Sequence, residues 1–329
     1  MTNEYQIIRL QRDNDELIHQ LIDTAKLIHN RKGDTIDWFK WKYFGSPFGE
    51  VICLLALKNN DIAGEVTFGK YEYLLNGVTI KCLISYQTMV HPRHQKKGLF
   101  SKLTKEILEI AKAENIDLIF NFPNKESYIP FNRLNFTPIN NLKNYITITN
   151  KINFIKAPLS LKKSFSANPI KRIDKTNNSV FESLRDTITP LLIKDTLTPN
   201  RTYDFLKWRY FTHPLYDYKI IKSELGWAIV RIGMRGKLNE VQLMEIFPSK
   251  LYDTKFIRGI KKEIKRTLNP DILLINISEN HPLNTPLKRA GFISLPHSIS
   301  FFTFSLNKKL QIYSTEKKWI ITATEFHRY

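Results

Sequence analysis

Apolar side chains follow two rhythms along this chain. Strand-like runs cover Val51–Leu57, Glu65–Tyr73 and Ile80–Val90, with breaks at Asn59-Asn60-Asp61 and at Asn76-Gly77. Asn-Gly between β-prone runs predicts a hairpin, because both residues accept the positive φ of a tight two-residue turn. Beyond residue 98 the rhythm becomes helical. Phe100, Leu103, Ile107 and Ile110 give one apolar face to a helix over Leu99–Ala113. Ile116–Phe122 then reads as a buried strand, and Leu142–Thr149 as the strand that closes this part of the chain.

The same order occurs twice. Asp37-Trp38-Phe39-Lys40-Trp41-Lys42-Tyr43-Phe44-Gly45-Ser46-Pro47-Phe48 recurs as Asp204-Phe205-Leu206-Lys207-Trp208-Arg209-Tyr210-Phe211-Thr212-His213-Pro214-Leu215, with six of twelve positions identical. Arg133-Leu134-Asn135-Phe136 is matched by Arg289-Ala290-Gly291-Phe292. The second set of strands falls at Trp227–Met234, Asn239–Phe247 and Ile272–Ile277. A period this long indicates a duplicated domain rather than a solenoid, with a boundary near residue 150.

One stretch carries candidate chemistry. Val90-His91-Pro92-Arg93-His94-Gln95-Lys96-Lys97-Gly98-Leu99-Phe100 links a strand to a helix through basic residues and a glycine. The first helical turn has N–H groups without intrahelical partners, and its dipole favours negative charge. Gly98 lets a ligand approach the backbone, while Lys96 and Lys97 add positive charge. After Phe247-Pro248 the second copy has no Gln-x-x-Gly.

Gln95-x-x-Gly98 after Val90-x-Pro92 resembles the pyrophosphate loop of the GNAT (GCN5-related N-acetyltransferase) superfamily, whose pattern is Gln/Arg-x-x-Gly-x-Gly/Ala. Phe100 replaces the last small residue and is expected to turn into the core. Asn124 and Phe136 sit at the family's downstream intervals. Asn135 replaces its Gly, and Phe131 replaces the Tyr that usually protonates the departing thiolate. Further likeness, around Trp41-Lys42-Tyr43, Pro47-Phe48-Gly49 and Asn121-Phe122-Pro123-Asn124, is to a bacterial subgroup often encoded with surface-polysaccharide enzymes.

The resemblance implies an α/β fold of two tandem GNAT-like domains, each a mixed, mostly antiparallel central sheet flanked by helices. Residues 1–150 would be the acyl-CoA-binding domain and 151–329 a degenerate, strongly basic second domain. It implies acetyl-CoA as acyl donor, no metal, and a primary amine as acceptor, such as an amino sugar of a surface glycan. Met89, Val90, Gln95, Lys96, Lys97, Gly98, Leu99, Phe100 and Asn124 are the donor-binding candidates. Tyr128, one helical turn before Phe131, is the candidate general acid. Trp41, Tyr86 and Gln87 are candidates for the acceptor side. Glu65, Glu72, His91 and His94 are open alternatives for the base, because the strand before the loop has no carboxylate.

Charge sharpens the division. The chain carries a net charge of +19; residues 1–150 hold 19 basic and 16 acidic side chains, and residues 151–329 hold 31 and 15. Lys255, Arg258, Lys261, Lys262, Lys265 and Arg266 recur at helical spacing opposite Phe256, Ile257, Ile260 and Ile264. This predicts a basic exposed face over Lys255–Arg266, either simply solvated or a contact for an anionic ligand or membrane surface. A non-catalytic or tRNA-dependent GNAT-like protein with a polyanion-binding second domain is the competing reading. The longest apolar run, Val51–Leu57, is far too short for a transmembrane segment, and Met1-Thr2-Asn3-Glu4 shows no signal pattern. Cytoplasm is therefore the expected address. Cys53 and Cys82, each in a strand-like run, are expected as core thiols.

Overall fold

The hairpin expected at Asn76-Gly77 is the longest feature of the first half. A computed structural model describes residues 4–29, 35–167, 175–295 and 299–326. In chain order the first elements are β1 (Gln6–Arg9), α1 (Asp15–His29), α2 (Ile36–Phe44), β2 (Ile52–Lys58), β3 (Asp61–Leu75) and β4 (Val78–Val90). They are followed by α3 (Leu99–Ala113), β5 (Leu118–Asn121), α4 (Lys125–Arg133), β6 (Thr137–Ile148) and α5 (Lys151–Lys156). Then come β7 (Phe165–Ala167), α6 (Lys175–Glu182), β8 (Leu197–Pro199), α7 (Tyr203–Leu206), β9 (Tyr218–Ser223), β10 (Gly226–Arg235) and β11 (Leu238–Pro248). The last are α8 (Thr254–Leu268), β12 (Ile272–Ser278), α9 (Asn284–Arg289), β13 (Ile293–Ser294), β14 (Ile299–Ser305) and α10 (Ala323–Phe326). Asn76 and Gly77 have φ of 50° and 83°, and Asn59 and Asn60 have 52° and 67°. Positive φ at both central residues is the turn chemistry that a right-twisted hairpin requires.

The chain forms two compact units. The first contains Met1–Ile139 and Ser300–Glu316; the second contains Asn140–Ile299 and Lys317–Arg328. The first unit's sheet runs β1-β2-β3-β4-β5-β14, with β4 and β5 parallel and the other pairs antiparallel. Leu99, Leu103, Ile107 and Ala111 of α3 bury one face of it against Leu54, Val66, Phe68, Leu83 and Ile119. Side chains alternate across a strand, so Glu65 lies on the opposite face, where it meets Tyr43 of α2.

The second unit repeats the plan. Its sheet runs β6-β12-β11-β10-β7, with β9 also on β10 and β13 on β6, and β11 and β12 are its parallel pair. Phe256, Ile257, Ile260 and Ile264 of α8 pack on Val230, Val241, Leu273 and Ile275. Each unit thus has the mixed, mostly antiparallel sheet and flanking helices expected from the sequence.

The last strand of each unit comes from the other half of the chain. The strand read as closing the first half, Leu142–Thr149, lies largely in β6, which pairs antiparallel with β12 from Leu142↔Ser278 to Ile148↔Ile272. Beside β5 stands β14 instead, with Phe302↔Asn121 and Ser305↔Leu118. Both strands carry the same alternating pattern, and periodicity does not specify which parallel-strand edge each will join.

Candidate functional site

At its middle, β4 is bent by a bulge. Thr67 of β3 pairs with Gln87 and Phe68 with Ser85, which leaves Tyr86 as the extra residue. A bulge kinks its strand and increases local twist. β5 accompanies β4 only at Cys82–Ile84, and Ser85–Val90 runs on past it. The bulge therefore marks where the two parallel strands part. The Tyr86 ring lies on Gly69, where an added Cβ would come within 2.3 Å of it. Gly69 is thus required for this close approach.

At the end of β4 the loop is built by short-range bonds. The His91 N–H donates to Ala63 O at 2.9 Å, and Pro92–His94 form one 3-10 turn. The Gln95 side chain turns back and donates to Val90 O at 3.3 Å. Lys96 takes φ of +62°, and Gly98 caps α3 with φ of +76° and no side-chain cap bond. A Cβ at Gly98 would meet nothing within 4 Å. The space beside Gly98 is thus open, and the first-turn amides of α3, which have no intrahelical acceptors, follow directly on it, as an anion site requires. Leu99 is buried beneath it. Phe100 packs edge-on to Phe131 at 5.1 Å, so its ring enters the core and leaves the loop clear.

Charge at the loop is partly tied down. Lys97 pairs with Glu4 at 3.3 Å, which raises the ammonium's pKa, and Glu4 also takes Lys58 at 2.6 Å. His94 is held below its ordinary pKa by burial and by the nearby Lys97 and His91 charges; its Nδ1 lies 3.1 Å from the Tyr5 hydroxyl. Lys96 is exposed at the loop's left-handed position.

The two main-chain groups named on β4 differ in direction. Alternation from His91, which bonds β3, turns the Met89 N–H toward β3 and the Val90 N–H toward the side away from it. The Thr88 amide shares the Val90 side. Downstream, Asn124 caps α4: its side chain accepts from Ser127 N at 2.9 Å within a capping box. Tyr128 is 39 % exposed on α4, with its ring edge-on to Phe302 at 4.7 Å. Phe131 is buried against Phe100 and Phe136. Asn135 takes φ of +63°, the left-handed turn expected there, and Gly291 does the same in the second copy at +84°.

On the α2 face, β4 meets a polar cluster whose members are far apart in sequence. Glu65 is fully buried and accepts from the Tyr43 hydroxyl at 2.6 Å, the Thr67 hydroxyl at 2.6 Å and the Gln87 amide at 3.0 Å. Burial raises the pKa of this carboxyl, against those donors and the Lys42 charge. Lys42 is itself buried, with its ammonium 4.9 Å from the Trp38 ring centre and 5.5 Å from that of Tyr86. Gln87 and Tyr86 therefore join this cluster, while Trp41 is half-buried on α2. The retained cation of the repeat, Lys42 and Arg209, was the available signal: Arg209 is also buried, over Tyr210 and Tyr218.

The second unit shows the same break with a different filling. Ile229 pairs with Glu245 and Val230 with Leu243, so Met244 is the bulged residue. β12 runs beside β11 only as far as Leu243↔Ile275. Beyond that point the chain's own segment enters. Ser278 N donates to Ile321 O at 2.9 Å, Ile277 bridges to Thr322, and the Thr324 hydroxyl donates to Met244 O at 3.2 Å. Arg201 pairs there with Glu245 at 2.6 Å and with Glu325. The cavity left between them encloses about 40 Å³, room for a few waters.

Comparisons with known proteins bear on the part of the chain that holds this strand, glycine and helix. Residues 7–136 match the family described as acetyltransferase (GNAT) domain. These residues are a GNAT acetyltransferase domain. That match makes this part of the chain an acyltransferase domain by family. No curated protein matches the sequence. Among solved structures, a probable N-acyltransferase of Enterococcus faecalis has a TM-score of 0.64 at 10 % identity, over 94 % of this chain and 74 % of that one. A tandem GNAT protein of the clavulanic acid pathway has 0.51 at 12 %, over 92 % and 98 %. N-myristoyltransferase of Saccharomyces cerevisiae, with bound myristoyl-CoA, has 0.57 at 11 %, over 93 % and 81 %. At such identities these likenesses establish the tandem GNAT fold alone.

Among the described residues of the chain, no helix is long and apolar enough to cross a membrane, and no group of His, Cys, Asp and Glu is arranged to hold a metal. Cys53 and Cys82 are free and buried, as expected of core thiols. On α8, Lys255, Arg258, Lys262, Lys265 and Arg266 form the exposed basic face. Lys261 departs from it. Its ammonium turns inward to the Thr147 hydroxyl at 2.9 Å and Ala290 O at 3.1 Å, and burial lowers its pKa.

Proposed function

We propose that the protein transfers an acetyl group from acetyl-CoA to a primary amine, and that it binds the donor once, in the first unit. The observation carrying this reading is the uncapped start of α3 at Gly98, at the end of a strand parted from its parallel neighbour. In this reading the first-turn amides of Leu99 and Phe100, with Gln95, Lys96, Lys97 and Gly98, receive the pyrophosphate. Val90 extends an edge along which an acyl arm can add as a strand does, with Met89 beneath it, and Asn124 borders the arm's far side. The Val90 and Thr88 amides then stabilise negative charge developing on the acyl oxygen. The bound donor supplies an activated thioester.

The acceptor comes from the α2 face, against Trp41, Tyr86 and Gln87. We assign Tyr128 as the group that protonates the leaving thiolate, since its hydroxyl-bearing ring is exposed whereas Phe131 has no hydroxyl and is buried. Glu65 is assigned to positioning: it holds Gln87 through the amide and Tyr43 through the hydroxyl. The Tyr210–Glu245 pair of the second unit supports this, because a similar pair occurs there with the strand gap filled. An amino sugar of a surface glycan is the proposed acceptor, on the subgroup resemblance alone, and the cytoplasm the proposed site of action. The sequence halves 1–150 and 151–329 are our proposed donor-binding and second domains. The basic face of α8 is proposed to attract an anionic acceptor. Thiol release from acetyl-CoA in the presence of a panel of amino sugars tests the reaction. Release with a saturating amine supports it, and binding without release to any amine overturns the catalytic reading.

A further inference from the structure

Residues 151–163 join the two copies in sequence and lie wholly within the second unit. They form α5 and then a 3-10 turn over Pro158–Lys162. The apolar side chains of this segment divide into two sets. Phe154 and Leu161 pack inward on Ile146, Leu238 and Ile272. Ile152, Ile155 and Leu159 are 66, 75 and 66 % exposed. Single exposed aliphatic residues are ordinary on any protein surface, but here three fall within eight residues, Ile152 and Ile155 one turn apart on α5 and Leu159 in the 3-10 turn that follows it.

Charge around the patch has one sign. Lys151, Lys156, Lys162 and Lys163 are all exposed, and residues 151–163 contain no acid. Lys237 stands beside them, its N–H donating to the Ser160 hydroxyl at 3.1 Å. Among the described residues, the acids bonded to this segment and to its neighbour Arg235 are buried and engaged: Asp271 accepts from Asn153 and from Asn239 N, both at 2.8 Å, and Glu240 is paired with Arg235. The segment is also anchored. Asn150 caps α5, and the Arg235 guanidinium donates to Lys163 O at 2.8 Å. The aliphatic tips are thus presented on a fixed support.

We propose that this face docks on an anionic lipid bilayer, with Ile152, Ile155 and Leu159 entering the headgroup region and the lysines lying on the lipid phosphates. Protein interfaces are enriched in aromatic residues and arginine at their centres and depleted in lysine, the reverse of this composition. Aliphatic residues ringed by lysine are the composition of interfacial membrane segments. The excess of basic residues in the second half adds long-range attraction to such a surface. The inference rests on the second unit alone and does not depend on the proposed acyl transfer.

Sedimentation of the intact protein with vesicles tests it, comparing phosphatidylcholine alone with an equal mixture of phosphatidylcholine and phosphatidylglycerol. Binding is expected to the mixture, weakening as salt rises. Lys151→Glu with Lys156→Glu should lower it by at least roughly fivefold per site. Ile152→Ser, Ile155→Ser and Leu159→Ser together should lower it about 100-fold or more. Lys262→Glu with Lys265→Glu on α8 should retain most of it. In a separate variant, Ile155→Trp, the new indole emission should shift to the blue on the mixed vesicles. Matching thermal midpoints keep loss of binding distinct from loss of fold. No binding to the mixed vesicles, full binding by the triple serine variant, equal loss on α8 reversal, or no blue shift would each overturn the proposal.

Discussion

Substituting Gly98 separates what the loop needs for folding from what it needs for the donor. Its φ of +76° and ψ of 7° lie in the left-handed region, where a side chain costs about 1–2 kcal/mol. Nothing within 4 Å would meet an added Cβ, so no packing penalty joins that cost. Gly98→Ala should therefore lower the melting temperature by about 2–4 °C per kcal/mol in a unit of this size. Gly98→Glu carries the same backbone cost, but a negative charge at a helix start returns about 0.3–1 kcal/mol. It should melt no lower than the alanine variant. Donor affinity should move in the other direction. Two like charges about 4 Å apart repel by ~1 kcal/mol in water and ~4 kcal/mol near a protein surface, a loss of roughly fivefold to a thousandfold. Titration calorimetry with acetyl-CoA, beside thermal melts, reads both quantities. A folded Gly98→Glu protein with wild-type affinity would refute the assignment of the loop.

Tyr128→Phe should leave acetyl-CoA binding intact and lower kcat by about 100-fold or more; an unchanged kcat removes Tyr128 from the chemistry. Phe131→Tyr should not restore the family's usual acid, because it puts a hydroxyl between Phe100 and Phe136 at a cost of about 1–3 kcal/mol, and a rise in kcat would show the pocket to be open. Burial raises the folded pKa of Glu65 above the ordinary carboxyl value of 4.5, so the folded state holds its proton more tightly than the unfolded chain. Wild-type stability should therefore gain a component as pH falls through the raised pKa toward 4.5, and Glu65→Gln should lack it; parallel stability–pH curves for the two proteins would contradict the shift.

Much of the first unit was legible because its signals were local. Asn76-Gly77 specified a hairpin by its own backbone preferences, and the spacing of Leu99, Leu103 and Ile107 gave α3 its buried face. Phe100 turned inward as its place in that series implied. The partner strands were not legible, because β6 and β14 carry the same alternation and either suits a parallel-strand edge. The bulge at Tyr86 was also hidden, since one extra residue in a strand leaves no compositional mark. The burial of Lys42 was not legible from composition, since a lysine is ordinarily solvated; its aromatic neighbours bury it, and its match to Arg209 was the clue. Lys261 followed the basic spacing of α8 and still turned inward, because Thr147 and Ala290 offered acceptors from other elements.

Hydrogen exchange on the intact protein with and without acetyl-CoA tests the central claim most directly. The account predicts slowed exchange in peptides covering residues 85–101, where the β4 edge and the first turn of α3 would be covered, with no change across residues 239–254. Protection in 239–254 instead, or none in 85–101 at saturating acetyl-CoA, would contradict a single donor site in the first unit.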